Sequence, residues 1–178
     1  MKITYYGAFS NSQLRAKSQQ GFSLIELVTT IAVLGVITAI AIPSYNEIIM
    51  TTKLRAYANN FIASAQLARS EAIKNNAVVT LCASNNGTSC TGNWQNGWIV
   101  IKADNTVIER QQATSDGYLI TEAGGTNTLN FQSTGIGSTQ AALTICRATP
   151  YVGNQERVVR ISATGKPSIT KTTVGACS

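Results

Sequence analysis

Few residues in this 178-residue chain are equipped for chemistry. Histidine is absent, which removes the usual general base and the commonest metal ligand. The four cysteines, Cys82, Cys90, Cys146 and Cys177, include no C-x-x-C pair, so without histidine they lack the spacing of a zinc site. No metal, no cofactor and no catalytic activity is therefore expected. Cysteines in even number can instead pair as disulfides in an exported domain. One carboxylate, Glu26, stands alone inside an apolar run from Phe22 to Ile42. A charge in such a run costs roughly 3 kcal/mol on insertion scales, which calls for a partner or a task unless the side chain snorkels to the interface.

The element that must carry Glu26 is a membrane-length helix. A hydrocarbon core of about 30 Å needs roughly 20 residues at a rise of about 1.5 Å, and Phe22 to Ile42 meets that length. The residues before it are polar and carry Lys2, Arg15 and Lys17 with no acid. By the positive-inside tendency this end stays cytoplasmic and the remainder faces outward. An ordinary secretory signal has a shorter apolar core with its cleavage site beyond it, whereas here the candidate cut precedes the run.

Gly21-Phe22-Ser23-Leu24-Ile25-Glu26 resembles the class III signal of type IV pilins and pseudopilins, G-F-[ST]-L-x-E. The resemblance implies a leader, residues 1–21, removed by a prepilin peptidase between Gly21 and Phe22, followed by N-methylation of Phe22. It implies that Glu26 neutralises the N-terminal amine of a neighbouring subunit. It also gives residues 22–42 two uses, as an anchor in membrane lipid before assembly and as the filament core afterwards.

Beyond the run, Pro43 lacks an N–H and is expected to kink or locally open a continuing helix. Helical periodicity resumes with Leu54, Tyr57, Ala58, Phe61, Ala65, Ala68 and Ala72, so residues 43–76 read as an amphipathic continuation ending near Lys74. Arg69 and Glu71 fall on its solvated face. Residues 77–178 change to short β-rich runs: Ala77 to Cys82, Trp98 to Ala103, Thr106 to Gln111, Tyr118 to Glu122, Thr128 to Gln132, Leu143 to Cys146, Val158 to Ile161 and Ser168 to Thr172. Asp104-Asn105, Gly124-Gly125 and Thr164-Gly165 mark hairpin turns. The order predicts an α+β domain in which antiparallel sheet packs on helix, and the resemblance implies a type IV pilin-like fold, with a long N-terminal transmembrane helix packed on antiparallel β-sheets. Trp94 and Trp98 are expected to pack in the core or at its rim.

Three further stretches resemble the minor pilins and pseudopilins of the FimT, FimU and GspH group: Gln66 to Ala72, Val79-Thr80-Leu81-Cys82, and Trp94-Gln95-Asn96-Gly97-Trp98. Leu143 to Cys146 and Arg157 to Gly165 resemble that group again. The function implied is a structural subunit that primes or caps a type IV pilus or a type II secretion pseudopilus. Its partners would be other minor and major pilins or pseudopilins, the prepilin peptidase and an inner-membrane assembly platform. It would sit in the bacterial inner membrane with its C-terminal domain in the periplasm, and then near a filament tip.

Three cysteine pairings are open from sequence alone. The favoured one joins Cys82 to Cys90 across a short loop and Cys146 to Cys177, which would hold a terminal strand that otherwise frays. Ser178 resembles the C-terminal serine that some pilins carry as an O-glycan acceptor.

Charge suggests an alternative. From Thr51 onward eleven Lys or Arg face six Asp or Glu, and Arg147, Arg157, Arg160, Lys166 and Lys171 crowd the end of the chain against Glu156 alone. Such a region can hold phosphate backbones through counterion release. Some FimT-like proteins bind DNA through a G-R-x-R motif in the final hairpin, so Arg157, Arg160, Lys166 and Lys171 are candidates for double-stranded DNA in natural transformation. Here the corresponding stretch is Gly165-Lys166-Pro167-Ser168. Lysine keeps one charge but loses the bidentate fork that suits phosphate.

Overall fold

The computed structural model describes residues 21–135, 139–148 and 156–172. By its internal contacts the chain divides into two units, Met1–Ile42 and Pro43–Ser178. A single helix, α1 (Leu24–Asn75), contributes to both and contains Pro43 at the boundary.

In the first unit the apolar side chains find no partner: Leu24, Ile31, Leu34 and Ile40 are all exposed. Mean hydropathy reaches 2.3 over its most apolar window, and among the described residues α1 is the one helix long and apolar enough to cross a membrane. Its few hydroxyls are spent internally. Thr29 Oγ1 donates to the Glu26 carbonyl at 3.0 Å, Thr30 Oγ1 to that of Leu27 at 2.8 Å, and Thr38 Oγ1 to that of Leu34 at 3.0 Å. Back-bonding of this kind removes the desolvation penalty that threonine would otherwise bring to an apolar environment.

In the second unit α1 buries Leu54, Ala58, Phe61, Ser64, Ala65, Ala68 and Ala72, the stripe expected from periodicity with Ser64 added and with Tyr57 only half-buried against it. The alanines let the sheets approach the helix closely, while Phe61 fills the space between two tryptophans. The helix stops in a Schellman motif. Asn76 takes a left-handed φ of 47°, its N–H reaches the Ile73 carbonyl at 3.3 Å, and Ala77 N–H reaches that of Ala72 at 3.2 Å. Those bonds occupy residues 76 and 77, so the first strand starts at Val79 and not at Ala77.

Eight strands follow: β1 (Val79–Ala83), β2 (Trp98–Lys102), β3 (Val107–Gln111), β4 (Tyr118–Glu122), β5 (Thr128–Phe131), β6 (Ala141–Arg147), β7 (Glu156–Ile161) and β8 (Pro167–Thr172). They form two antiparallel sheets ordered β3-β2-β1-β5 and β4-β6-β7-β8. Both sheets send one face into the core built on α1, the first through Leu81, Val100 and Phe131, the second through Ile120, Leu143 and Val159.

The turn expectations divide. Asn105 at φ 66° closes the β2–β3 hairpin, and Gly165 at φ 69° closes β7–β8. Gly124-Gly125 does not close a hairpin, because β4 pairs with β6 whereas β5 pairs with β1. This turn carries the chain from one sheet to the other, and Glu122 organises it by accepting hydrogen bonds from the N–H groups of Gly124 and Thr126.

Candidate functional site

The N-terminal segment presents its chemistry openly. Gly21 to Ser23 precede the helix and are exposed, so the Gly21–Phe22 bond lies in non-helical chain and Phe22 is 83% exposed. Glu26 sits in the first turn of α1, where a carboxylate is favoured by the helix dipole. Among the described residues no cation lies within ion-pair distance of it.

Cys82 and Cys90 are joined in a disulfide with Cα atoms 5.4 Å apart. Strand alternation turns Cys82 away from the main core into a second cluster with Ile99 and Ile101, flanked by Val107. The loop inside the disulfide folds over this outer face: its Gly87 lies against the Arg110 side chain, and Arg110 pairs with Ile99 in the strand register. Ser84 Oγ and Asn86 Oδ1 fix the loop by accepting from Gly87, Thr88 and Ser89 N–H groups. Cys146, buried on β6, is also disulfide-bonded, while its expected partner Cys177 lies outside the described residues, as does Ser178.

The structure separates the four basic candidates. Arg157 is only 5% exposed and shares a face of β7 with the core residues Val159 and Ile161, and Lys171 stands opposite it on β8. Burial, and then the charge of Arg55, lower the Arg157 pKa. Arg160 points to the other face and is exposed, and Lys166 is exposed in the β7–β8 turn. Arg157 and Lys171 therefore come together, whereas Arg160 and Lys166 do not join them.

Arg55 on α1 is the basic residue that sequence reading passed over, because on a helical wheel it is one of several solvated positions and its nearness to β7 and β8 is a tertiary fact. Arg69 is a correction of the opposite kind. Its Nε donates to the Gly135 carbonyl at 2.8 Å, so it ties α1 to the loop after β5 instead of lying on a solvated face. Glu71 likewise has partners, Lys74 at 3.2 Å and Lys102 at 3.6 Å.

Comparison with known proteins places these features. The family described as type II transport protein GspH matches residues 57–165, and the prokaryotic N-terminal methylation motif matches residues 16–42. A fimbrial protein of Pseudomonas aeruginosa is 33% identical over 64 residues, 36% of this chain and 42% of that protein. The type IV major fimbrial protein FimA of Dichelobacter nodosus is 47% identical over 36 residues, 20% of this chain and 22% of that protein. The chain thus spans less than half the length of either relative. In fold it is similar to the type IV minor pilin FimU of Pseudomonas aeruginosa, with a TM-score of 0.58 at 20% identity over 71% of this chain and 96% of that one. It is similar as well to the minor pseudopilin EpsH from the type 2 secretion system of Vibrio cholerae, with a TM-score of 0.51 at 15% identity over 67% and 97% of the two chains. With the GspH match covering more than half the sequence and the methylation motif preceding it on an apolar helix, the chain belongs to the GspH family of type IV pilin-like minor pilins and pseudopilins.

Proposed function

We propose that this protein is a structural filament subunit, a minor pilin or pseudopilin that primes or caps assembly of a type IV pilus or a type II secretion pseudopilus. The observation that carries this reading is Glu26, a carboxylate with no cation in reach among the described residues, five positions after an exposed Gly21–Phe22 bond within the matched methylation motif. A prepilin peptidase would cut after Gly21, Phe22 would be N-methylated, and Glu26 would take the N-terminal amine of the adjoining subunit. Before assembly residues 22–42 would hold the chain in inner-membrane lipid with its C-terminal domain in the periplasm, where the assembly platform engages it. After assembly it would stand near the tip. Pro43, inside α1, would supply local give between the apolar and amphipathic parts. Glu26→Ala should leave leader removal intact and abolish recovery of the protein in sheared filaments; wild-type filament levels of this variant would count against the reading. Deleting the gene and scoring piliation and exoprotein release together separates pilus from pseudopilus.

A second reading, contact with double-stranded DNA during transformation, draws on Arg160 and Lys166, both exposed at the β7–β8 hairpin. It requires a salt-sensitive gel shift by the detergent-solubilised chain that weakens in Lys166→Ala. Absence of any shift at low salt ends it.

A further inference from the structure

A groove of about 390 Å³ between α1 and β8 is lined by Glu47, Ile48, Thr51, Thr52, Arg55 and Lys171. Arg55 and Lys171 reach it from different elements and both are exposed; among the described residues neither belongs to an ion pair, nor does Glu47, which lines the same groove. Arg157, buried and opposite Lys171 in the strand register, donates to the Glu156 carbonyl. Arg55 and Arg157 already lie close enough to repel. Two cations that line one groove, Arg55 and Lys171, hold an anion there more favourably than either would alone.

The lining narrows which anion fits. Glu47 shares the groove and opposes a row of phosphates, and Arg157 is too buried to follow a nucleic-acid backbone. A single carboxylate seated between Arg55 and Lys171, with its apolar stem against Ile48, meets neither obstacle. Glu47 and Arg55 are eight residues apart on α1, about 12 Å along the axis at a rise of about 1.5 Å per residue. A helix lying parallel to α1 with an acid level with Arg55 and a base level with Glu47 would complement both ends.

We propose that this groove is a docking socket for the helix of a neighbouring filament subunit, which seats a carboxylate between Arg55 and Lys171. The socket rests on the filament reading above. It is a heterologous contact, using one surface on each partner, and such contacts build open helical assemblies.

The test compares the fraction of full-length protein recovered in sheared filaments with the membrane pool for wild type, Arg55→Glu/Lys171→Glu, Thr51→Glu and Arg55→Lys. Thr51→Glu fills the groove with an internal carboxylate one helical turn from Arg55 and leaves the cations in place. Both acidic variants should lose incorporation by at least about tenfold at wild-type membrane levels and with Cys82–Cys90 formed, while Arg55→Lys retains most of it. Suppressors of Arg55→Glu should replace an Asp or Glu by Lys or Arg in the helix of a filament subunit. Unchanged incorporation of either acidic variant overturns the socket. So does a DNA gel shift that the reversal abolishes while incorporation stays normal, since the groove would then serve phosphate. If wild type itself is absent from filaments, it is the filament reading that has failed.

Discussion

Trp98 Nε1 donates a 2.9 Å hydrogen bond to Ser64 Oγ, and both residues are sealed in the core between α1 and β2. Ser64 Oγ in turn donates to the Asn60 carbonyl at 3.1 Å, so the indole is tied through one hydroxyl to the helix backbone. The bond links β2 to α1 inside the core. Ser64→Ala leaves a buried N–H without its acceptor and should destabilise the protein by about 1–3 kcal/mol in denaturant unfolding. A double-mutant cycle with Trp98→Phe should recover a coupling of similar size.

Phe61 lies edge-on to both Trp94 and Trp98, with ring centroids 5.3 and 5.4 Å away. Phe61→Ala opens a cavity where α1 and the first sheet meet. Its expected cost is about 3–5 kcal/mol, and Phe61→Leu should recover much of that, both read from the denaturant midpoint.

Gly97 stands at φ 112°, and a Cβ there would lie 2.5 Å from the Gln111 carbonyl oxygen. The obstacle is backbone of the neighbouring β3, which cannot swing aside as a side chain can. Gly97→Ala should cost more than the roughly 1–3 kcal/mol of the backbone conformation alone. Far-UV dichroism should show an earlier thermal transition, and a wild-type melting temperature would refute the assignment.

The Cys82–Cys90 bond closes a short loop over Ile99 and Ile101. Replacing both cysteines by serine should lower stability by about 2–3 kcal/mol on loop entropy. It should also expose the outer cluster, visible as increased binding of a hydrophobic dye.

Glu71 has its pKa lowered by the hydrogen bond from Asn75, then by Lys74 and Lys102. Its folded pKa is thus below its unfolded one, so its contribution to stability is present above the unfolded value and disappears as pH falls through the folded value. The carboxylate is half-buried but borders solvent, where ion pairs are screened, so the effect is small. Glu71→Gln should flatten the acid side of the stability profile, and an unchanged acid limb would show that the network does not act.

Local rules made most elements legible. Alternation in Tyr118 to Glu122 located β4, helical spacing from Leu54 to Ala72 located the buried stripe, and Asp104-Asn105 and Thr164-Gly165 marked true hairpins. The membrane-length run with its single Glu26 was likewise a property of consecutive residues. Each of these depends on interactions within a few residues, where propensity and periodicity act directly.

Pairing across distance is another matter. That Gly124-Gly125 crosses between sheets, that Arg69 reaches Gly135, and that Arg55 stands beside Arg157 and Lys171 were decided by which surfaces α1 and the two sheets bury against one another. The same packing turned Arg157 inward and Arg160 outward although only two residues lie between them. The sequence by itself determined an anchored helix followed by strands. Only tertiary structure decided which charges meet, because a strand's alternation assigns two faces without saying which of them the core will claim.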